Sequence, residues 1–544
     1  MTNPSDSSPL DIQNLSFTYR IRTTPAIENI NLSIQPGELM LVAGASGSGK
    51  TTLMRCINGL IPRTYSGTIE GNIKLFGTPI EELSMSELSQ TVGTLLQDPE
   101  RQIVSSYVLN EVAFGLENLA WEREKIIQRV DETLEFLNIT HLRDRETFTL
   151  SGGERQKVAL AGVLAMNPKV LILDEPLASL DPASSHDALL LFRRLADDGI
   201  SIMLVEHRVD DVLAIQPDSV FYLDEGKESY SGDPQGLFDT ADYHRIKLPA
   251  QVILERAKKE GEPVKFNPAI VKLPEIKQED KLLEFKDVSF RYDSTLPEVL
   301  HNISFDINKG DVIAVLGHNG AGKSTLVKHA LGLLKPTQGD VLLRGVSSRK
   351  NTVAHAAQTV GYVFQSPGHM LFAPTVEEEL AFGPKNLKLS EEEVKENVEW
   401  AIKTVNMEEY ADSPPLALSY GQQKRVSIAA ILSMRSRVLV MDEPTAGQDY
   451  WNYRFFMDSI LEMPGFDSIV FITHDVDLAV VYANRILLLS SGELVADGDP
   501  QTVLGNREML ERCRVLPTTL LEINQKHLSK TGRFMRAEEL AHAL

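Results

Sequence analysis

Two glycine-rich runs carry the clearest chemistry in the chain. Gly44-Ala45-Ser46-Gly47-Ser48-Gly49-Lys50-Thr51 and Gly317-His318-Asn319-Gly320-Ala321-Gly322-Lys323-Ser324 share one spacing and both end in Gly-Lys-Thr/Ser. Glycines at that spacing let backbone N–H groups curl around phosphates, and a helix starting at the lysine adds its dipole. Lys50 and Lys323 then supply charge, and Thr51 and Ser324 a hydroxyl for Mg²⁺, with Thr52 and Thr325 next in line. A structural glycine turn is the bland reading. Two full matches, each after an apolar run and before a helical pattern, favour phosphate binding.

A second pair of motifs completes that chemistry. Val170–Leu173 and Val438–Met441 are four-residue apolar runs, followed by Asp174-Glu175-Pro176 and Asp442-Glu443-Pro444. Doubly wound sheets present ligand-contacting side chains at the carboxyl ends of such strands. The aspartate is expected to reach Mg²⁺ through water, and the glutamate to orient or deprotonate an attacking water.

The elements that must hold these residues occur twice. Tyr19/Tyr292 and Lys50/Lys323 pair at an offset of 273, whereas Gln97/Gln365, Ser151/Ser419, Asp174/Asp442 and Asp181/Asp449 pair at 268. The five lost residues fall between Leu60 and Gly71, where a longer surface loop is expected in the first half. His207/His474 pair at 267. The 544-residue chain is therefore a tandem duplication of units close to 544/2 = 272 residues. Leu39–Ala43, Val312–Leu316, Ile202–Val205 and Ile469–Ile472 read as further buried parallel strands. Antiparallel strands are expected at Leu10–Thr18 and Leu283–Arg291, and helices at Glu122–Leu137 and Ser390–Val405. Leu248-Pro249 and Leu516-Pro517 each precede apolar residues at helical spacing, so each half ends in a small appendix. Pro263, Pro268 and Pro274 mark a tether over 261–280.

With these landmarks in place, Leu150-Ser151-Gly152-Gly153-Glu154-Arg155-Gln156 resembles the signature of ABC-type ATPases, and Leu418-Ser419-Tyr420-Gly421-Gln422-Gln423-Lys424 resembles it with one departure. Ser-Gly-Gly alone is a helix cap. Lying 174 − 151 = 442 − 419 = 23 residues before the Asp, it takes on the family element. The resemblance implies two P-loop α/β domains in tandem. Each has a mainly parallel core sheet, an antiparallel β subdomain, a helical signature subdomain and a C-terminal appendix. It implies ATP and Mg²⁺ as ligands, Gln97 and Gln365 as loop glutamines touching Mg²⁺, and His207 and His474 as switch histidines at the γ-phosphate. Tyr19 and Tyr292 become adenine platforms, Asp181 and Asp449 interface-loop aspartates. Each signature faces the phosphate held by the other unit, so two units sandwich two ATPs. Expected boundaries are 1–235 and 281–500 for the ATPase domains, with 236–280 and 501–544 as appendices, the first including the linker.

Composition narrows the class. With 54 basic and 76 acidic side chains the net charge is −22, against a nucleic-acid binder that draws affinity from clustered Lys/Arg. Two distant cysteines, Cys56 and Cys513, exclude a disulfide scaffold or a cysteine-rich metal domain. A polar N-terminus and the lack of an apolar run near 18 residues predict neither signal peptide nor membrane span. The expected location is peripheral, at the cytoplasmic face of a membrane. Asp98-Pro99-Glu100-Arg101-Gln102 after Gln97, Asn110 to Asn118, and Glu378 to Pro384 resemble the ATPase subunits of energy-coupling-factor importers. That resemblance implies separate membrane subunits, one for coupling and one for substrate, and uptake of a vitamin, a vitamin precursor or a transition-metal ion. A ribosome-acting tandem ATPase and a sugar-importer ATPase are the alternatives.

The departures cluster. Tyr420 replaces the middle signature glycine and Gly447-Gln448-Asp449 the more regular Ser179-Leu180-Asp181. In the family's crossed arrangement both would serve the site built from Lys50, Glu175 and His207. Unequal sites are therefore expected, with both competent.

Overall fold

The computed structural model describes residues 8–178, 180–261, 281–445 and 448–544. They form two compact units. One comprises the described residues within Met1–Leu180, Ser184–Pro249 and Gly447–Trp451, the other those within Asp181–Ala183, Ala250–Ala446 and Asn452–Leu544. The proline-marked tether lies outside the described residues from 262 to 280.

In the first unit, the apolar runs become the centre of a six-stranded sheet. Its order is Lys227–Gly232, Ser219–Asp224, Leu39–Ala43, Ser201–Val205, Val170–Asp174, Val92–Leu95. All neighbours are parallel except the first strand, an antiparallel edge. Leu39–Ala43 and Ser201–Val205 are buried at every position, as strands covered on both faces must be. A four-stranded antiparallel sheet, Ile27–Ile34, Leu10–Tyr19, Gly67–Leu75 and Thr78–Pro79, lies across it. Helix Lys50–Ile57 is wedged into the same core, with Leu53 and Ile57 among Leu10, Ile12, Phe17, Val42, Ile172 and Val205. The stretch after Leu60, expected as a surface loop, is irregular at its start and not wholly at the surface: Ile61 is extended (φ −100°, ψ 131°) and its side chain is buried in the core.

The second unit repeats this plan. Val360–Val363, Val438–Asp442, Ser468–Ile472, Val312–Leu316, Arg485–Ser490 and Glu493–Gly498 make its six-stranded sheet. Leu283, Phe285, Val315, Leu326, Val440 and Ile472 share its core. In each unit three helices form a lateral subdomain: Val108–Asn118, Arg123–Phe136 and Gly152–Ala165 in one, Val376–Asn386, Glu391–Thr404 and Tyr420–Ser433 in the other. Ser151, Ser390 and Ser419 start their helices with reciprocal capping boxes.

Both appendices are helical. Ala250–Glu260 packs within the second unit on Thr519–Thr531 and Ala537–Ala543. Ile253, Leu254, Ala257, Leu521 and Leu540 are buried there, and Ala250 N donates to Thr519 Oγ1 at 3.0 Å. Among the described residues no helix is long and apolar enough to cross a membrane.

Candidate active site

Each phosphate loop leaves its strand, turns through glycines in the left-handed region and enters a helix at the lysine. Gly49 and Gly322 precede the helices with φ of 105° and 100°. A side chain there would be strained and would meet the backbone carbonyl of Ala26 or the side chain of Leu300. Lys50 Nζ donates to the carbonyls of Gly44 and Ala45, both at 2.8 Å, and Lys323 Nζ to those of Gly317 and His318, at 2.6 and 3.0 Å. Burial lowers both amines, against the field of the neighbouring Asp and Glu carboxylates.

Asp174 and Asp442 end their strands beside these loops. Burial, then the Glu175 charge, pushes the Asp174 carboxyl up to about 6. Asp442 is raised by burial too, but Tyr362 donates its hydroxyl to Asp442 Oδ2 at 2.6 Å and works against the shift. Thr94 holds the matching position in the first half (362 − 94 = 268), and its short side chain has no phenol to extend.

The next residue is unusual in both halves. Glu175 and Glu443 sit at φ of 46° and 42°, a region L-residues with side chains seldom occupy. His207 Nε2 lies 2.8 Å from Glu175 Oε1, and His474 Nδ1 lies 2.9 Å from Glu443 Oε1. Burial would raise both carboxyls. Histidine and lysine outweigh it and hold them below the usual range.

The remaining partners differ between halves. Gln97 Nε2 donates to Glu175 Oε2 at 2.6 Å, whereas Glu443 Oε2 accepts from Thr473 Oγ1 at 3.2 Å. The residue matching Thr473 is Glu206 (473 − 206 = 267), fully buried and pushed up to about 7, by burial first and then by Glu175. Its carboxylate accepts the backbone N–H groups of Leu177, His207 and Arg208.

The other expected residues are placed as follows. Tyr19 and Tyr292 share hydroxyl bonds with Thr52 and Thr325, at 3.2 and 3.1 Å, and stand edge-on to Phe17 and Phe290. Ser151 Oγ donates to Glu154 and caps Gly152–Ala165; Ser419 accepts from Gln422 N and caps Tyr420–Ser433. A Cβ added at Gly152 or Gly421 meets nothing within 4 Å, and at Gly153 it meets only Leu180, at 3.5 Å. The open space at Gly152 explains why its counterpart can be Tyr420. Within the first unit, Asp449 Oδ2 accepts Ser46 N at 2.8 Å; within the second, Asp181 Oδ2 accepts Asn319 N at 3.4 Å. Thus each interface-loop aspartate lies at a phosphate loop from the opposite half of the sequence.

Motif reading did not single out Tyr362, Glu206 or Thr473. The signal available was the repeat itself: 94/362 and 206/473 are positions where equivalent residues differ beside an otherwise repeated site.

Comparison with known proteins places the site in context. The family model described as ABC transporter matches residues 27–178 and 300–446. An ABC transporter ATP-binding protein of Clostridium perfringens is 35% identical over 541 residues, covering 95% of each chain. Another, from Methanosarcina mazei, is 35% identical over 553 residues, covering 95% of this chain and 93% of its own. Among solved structures, cbiO1 of Clostridium perfringens, described as part of the ABC transporter complex cbiONQ, is 34% identical. It covers 43% of this chain and 94% of its own, with a TM-score of 0.39.

Proposed function

The chain belongs to the ABC transporter family, as an ATP-binding, ATP-hydrolysing transporter subunit, and from that premise we propose that it powers an importer of the energy-coupling-factor type. The reading rests first on the stretches after Gln97 and Gln365, Asp98 to Gln102, Asn110 to Asn118 and Glu378 to Pro384. Buried Glu111 accepts the N–H groups of Val104 and Ser105, and buried Glu379 those of Phe372 and Ala373, all at 2.8–2.9 Å. The same carboxylate thus pins the same loop in both halves. Large apolar side chains stand exposed at matching positions: Val104/Phe372, Phe114/Phe382 and Phe148/Leu416. This repeated apolar surface beside the glutamine loops is the observation that carries the membrane-partner reading, since soluble faces seldom retain such groups together. The partners proposed are a coupling subunit and a substrate-binding subunit in the membrane, and the cargo a vitamin, a vitamin precursor or a transition-metal ion. The chain itself is then peripheral, at the cytoplasmic face.

Two ATP sites are proposed. One uses Lys50, Asp174, Glu175, Gln97 and His207 with Ser419 and Gly421 in trans, and the other Lys323, Asp442, Glu443, Gln365 and His474 with Ser151 and Gly153. A covalent tether makes closure of the pair intramolecular.

In each site the glutamate orients a water and takes its proton as the water oxygen attacks the γ-phosphorus. The bond to the bridging oxygen breaks and ADP leaves. The histidine fixes the glutamate and the lysine offsets phosphate charge. The donors near each phosphate loop fit Mg²⁺: a hydroxyl (Thr51 or Ser324), a carbonyl-bearing amide (Gln97 or Gln365) and an aspartate raised by burial and then by the neighbouring glutamate. Bound there, the ion neutralises charge on the triphosphate. ATP binding closes the two halves, hydrolysis and phosphate release reopen them, and that cycle drives the membrane partner.

Purification through a tag on this chain, from membranes in mild detergent, tests the assignment. A polytopic membrane protein with a small substrate-binding membrane protein is the expected yield. Ribosomal particles in their place overturn it.

A further inference from the structure

Five positions after its capping serine, each signature helix carries a buried side chain aimed at the turn that follows the Asp-Glu pair. Gln156 Nε2 donates to the Pro176 carbonyl and Lys424 Nζ to the Pro444 carbonyl. The two contacts are one device repeated, because 424 − 156 = 444 − 176 = 268. Different chemistry at the same place argues that the donor, not the residue type, is what the site requires.

The turn needs such support. Glu175 and Glu443, one residue before those prolines, hold a left-handed backbone that costs roughly 1–3 kcal/mol and persists only where neighbours over-determine it. Glu175 N and Glu443 N are tied to the carbonyls of Val205 and Ile472, both at 2.9 Å, which secures one side of each turn. Gln156 and Lys424 secure the other. We propose that Gln156 and Lys424 are positioning residues that brace the glutamate turn against the signature helix, so that movement of either helix is felt at Glu175 or Glu443. The proposal rests on the reading of those glutamates as the groups that handle the attacking water.

The two braces respond differently to pH. Lys424 is 1% exposed, with the Phe456 ring 4.8 Å and the Tyr420 ring 5.7 Å from its Nζ. Burial pushes its amine down to about 7. Phe456 comes from helix Tyr450–Glu462 and is apolar. Tyr420, on its own helix, is titratable but raised by burial, so it stays neutral through this range. Asp442 and Glu443 lie two and one residues before the accepting carbonyl. Below about pH 7 the brace is a charge-assisted bond, stronger than a neutral one; above it a neutral amine donates more weakly. Gln156 does not titrate.

Steady-state ATP hydrolysis by the full chain between pH 6 and 8.5 tests this. Lys424→Met is expected to lower kcat about tenfold at pH 6.5 with KM for ATP held within about twofold, since the amine touches no nucleotide. Lys424→Gln, which copies the first half, is expected to restore kcat to within about threefold and to remove an alkaline decline centred near pH 7. Gln156→Lys is expected to introduce a second such decline. Unchanged kcat in folded Lys424→Met, or superimposable pH profiles for wild type and Lys424→Gln, overturns the proposal; the profile comparison stands even where Lys424→Met fails to fold. Rapid turnover by Glu443→Gln would overturn the reading of the glutamate instead, so the two failures are separable.

Discussion

The hydroxyl of Tyr420 donates to the backbone carbonyl of Gln365 at 3.1 Å, tying the first residue of a signature helix to the glutamine loop of the same unit. Gly152 leaves the first half without that tie. A residue that looks in sequence like damage to a glycine motif therefore has a partner in cis. Removing one such hydrogen bond costs about 0.5–1.5 kcal/mol. Tyr420→Phe is expected to speed amide exchange about two- to tenfold around Gln365 while leaving the Gln97 loop unchanged as an internal control. Equal protection in variant and wild type would remove the tie.

The two glutamates have unequal company, Gln97 and His207 around Glu175 against Thr473 and His474 around Glu443. The double Gln variant of Glu175 and Glu443 is expected to hydrolyse ATP about 10²–10⁴ slower than wild type with nucleotide binding intact. Single variants are expected to leave different residual rates. Equal residual rates would argue against unequal sites, and near-native turnover in the double variant against the role itself.

Whatever is contiguous in the chain was legible in its sequence. Each phosphate loop, Asp-Glu turn and signature lies within eight residues, and its repeat gave a register that also located the strands, the lateral helices and both appendices. What escaped was lateral. Tyr362 reaches Asp442 because Val360–Val363 lies beside Val438–Asp442 in the sheet, 80 residues away in sequence. Pairing Lys424 with Pro444 likewise needs the packing of a helix on a turn. The departure at Tyr420 was visible, but its cis partner was not, because a backbone carbonyl leaves no trace in residue identity.

Tyr362 bears on the proposed role of Asp442 toward Mg²⁺. Its phenol orients one oxygen of Asp442, and if that carboxylate serves the ion, loss of its outer partner weakens metal affinity by about 10–100-fold. Tyr362→Phe is expected to shift the Mg²⁺ dependence of fluorescent-nucleotide binding about tenfold toward higher concentration at the second site, at the low end of that range. Chelation with EDTA is expected to abolish hydrolysis in variant and wild type alike. An unshifted Mg²⁺ titration would restrict Tyr362 to packing.

The appendix gives a contrast in ion-pair worth. Arg454 and Glu538 meet at 2.6 Å with side chains 17% and 4% exposed, while Arg507 and Glu511 meet at 3.3 Å in the open. Breaking the first removes a charge-assisted hydrogen bond in a largely buried setting, so Glu538→Ala is expected to cost about 1.5–3 kcal/mol of unfolding stability. Arg507→Ala is expected to cost under about 0.5 kcal/mol, as surface pairs do. Urea titration of the second unit's transition measures both, and similar small losses would mean that Glu538 is effectively solvated.

Glu206 makes the first unit's stability depend on pH in a direction opposite to that of a salt-bridged acid. Burial holds its carboxyl near 7, above the ordinary 4.5. Between those values the folded chain binds a proton that the unfolded chain has released. Its contribution is therefore full below about pH 4.5 and is lost as pH rises through about 7. Three backbone N–H groups limit the loss by solvating the carboxylate once it forms. Thermal unfolding of the first unit is expected to fall more steeply from pH 5 to 8 in wild type than in Glu206→Gln, which cannot release that proton. Parallel curves would mean that Glu206 is ionised throughout, held by Arg208 and the N–H groups strongly enough to overcome its burial.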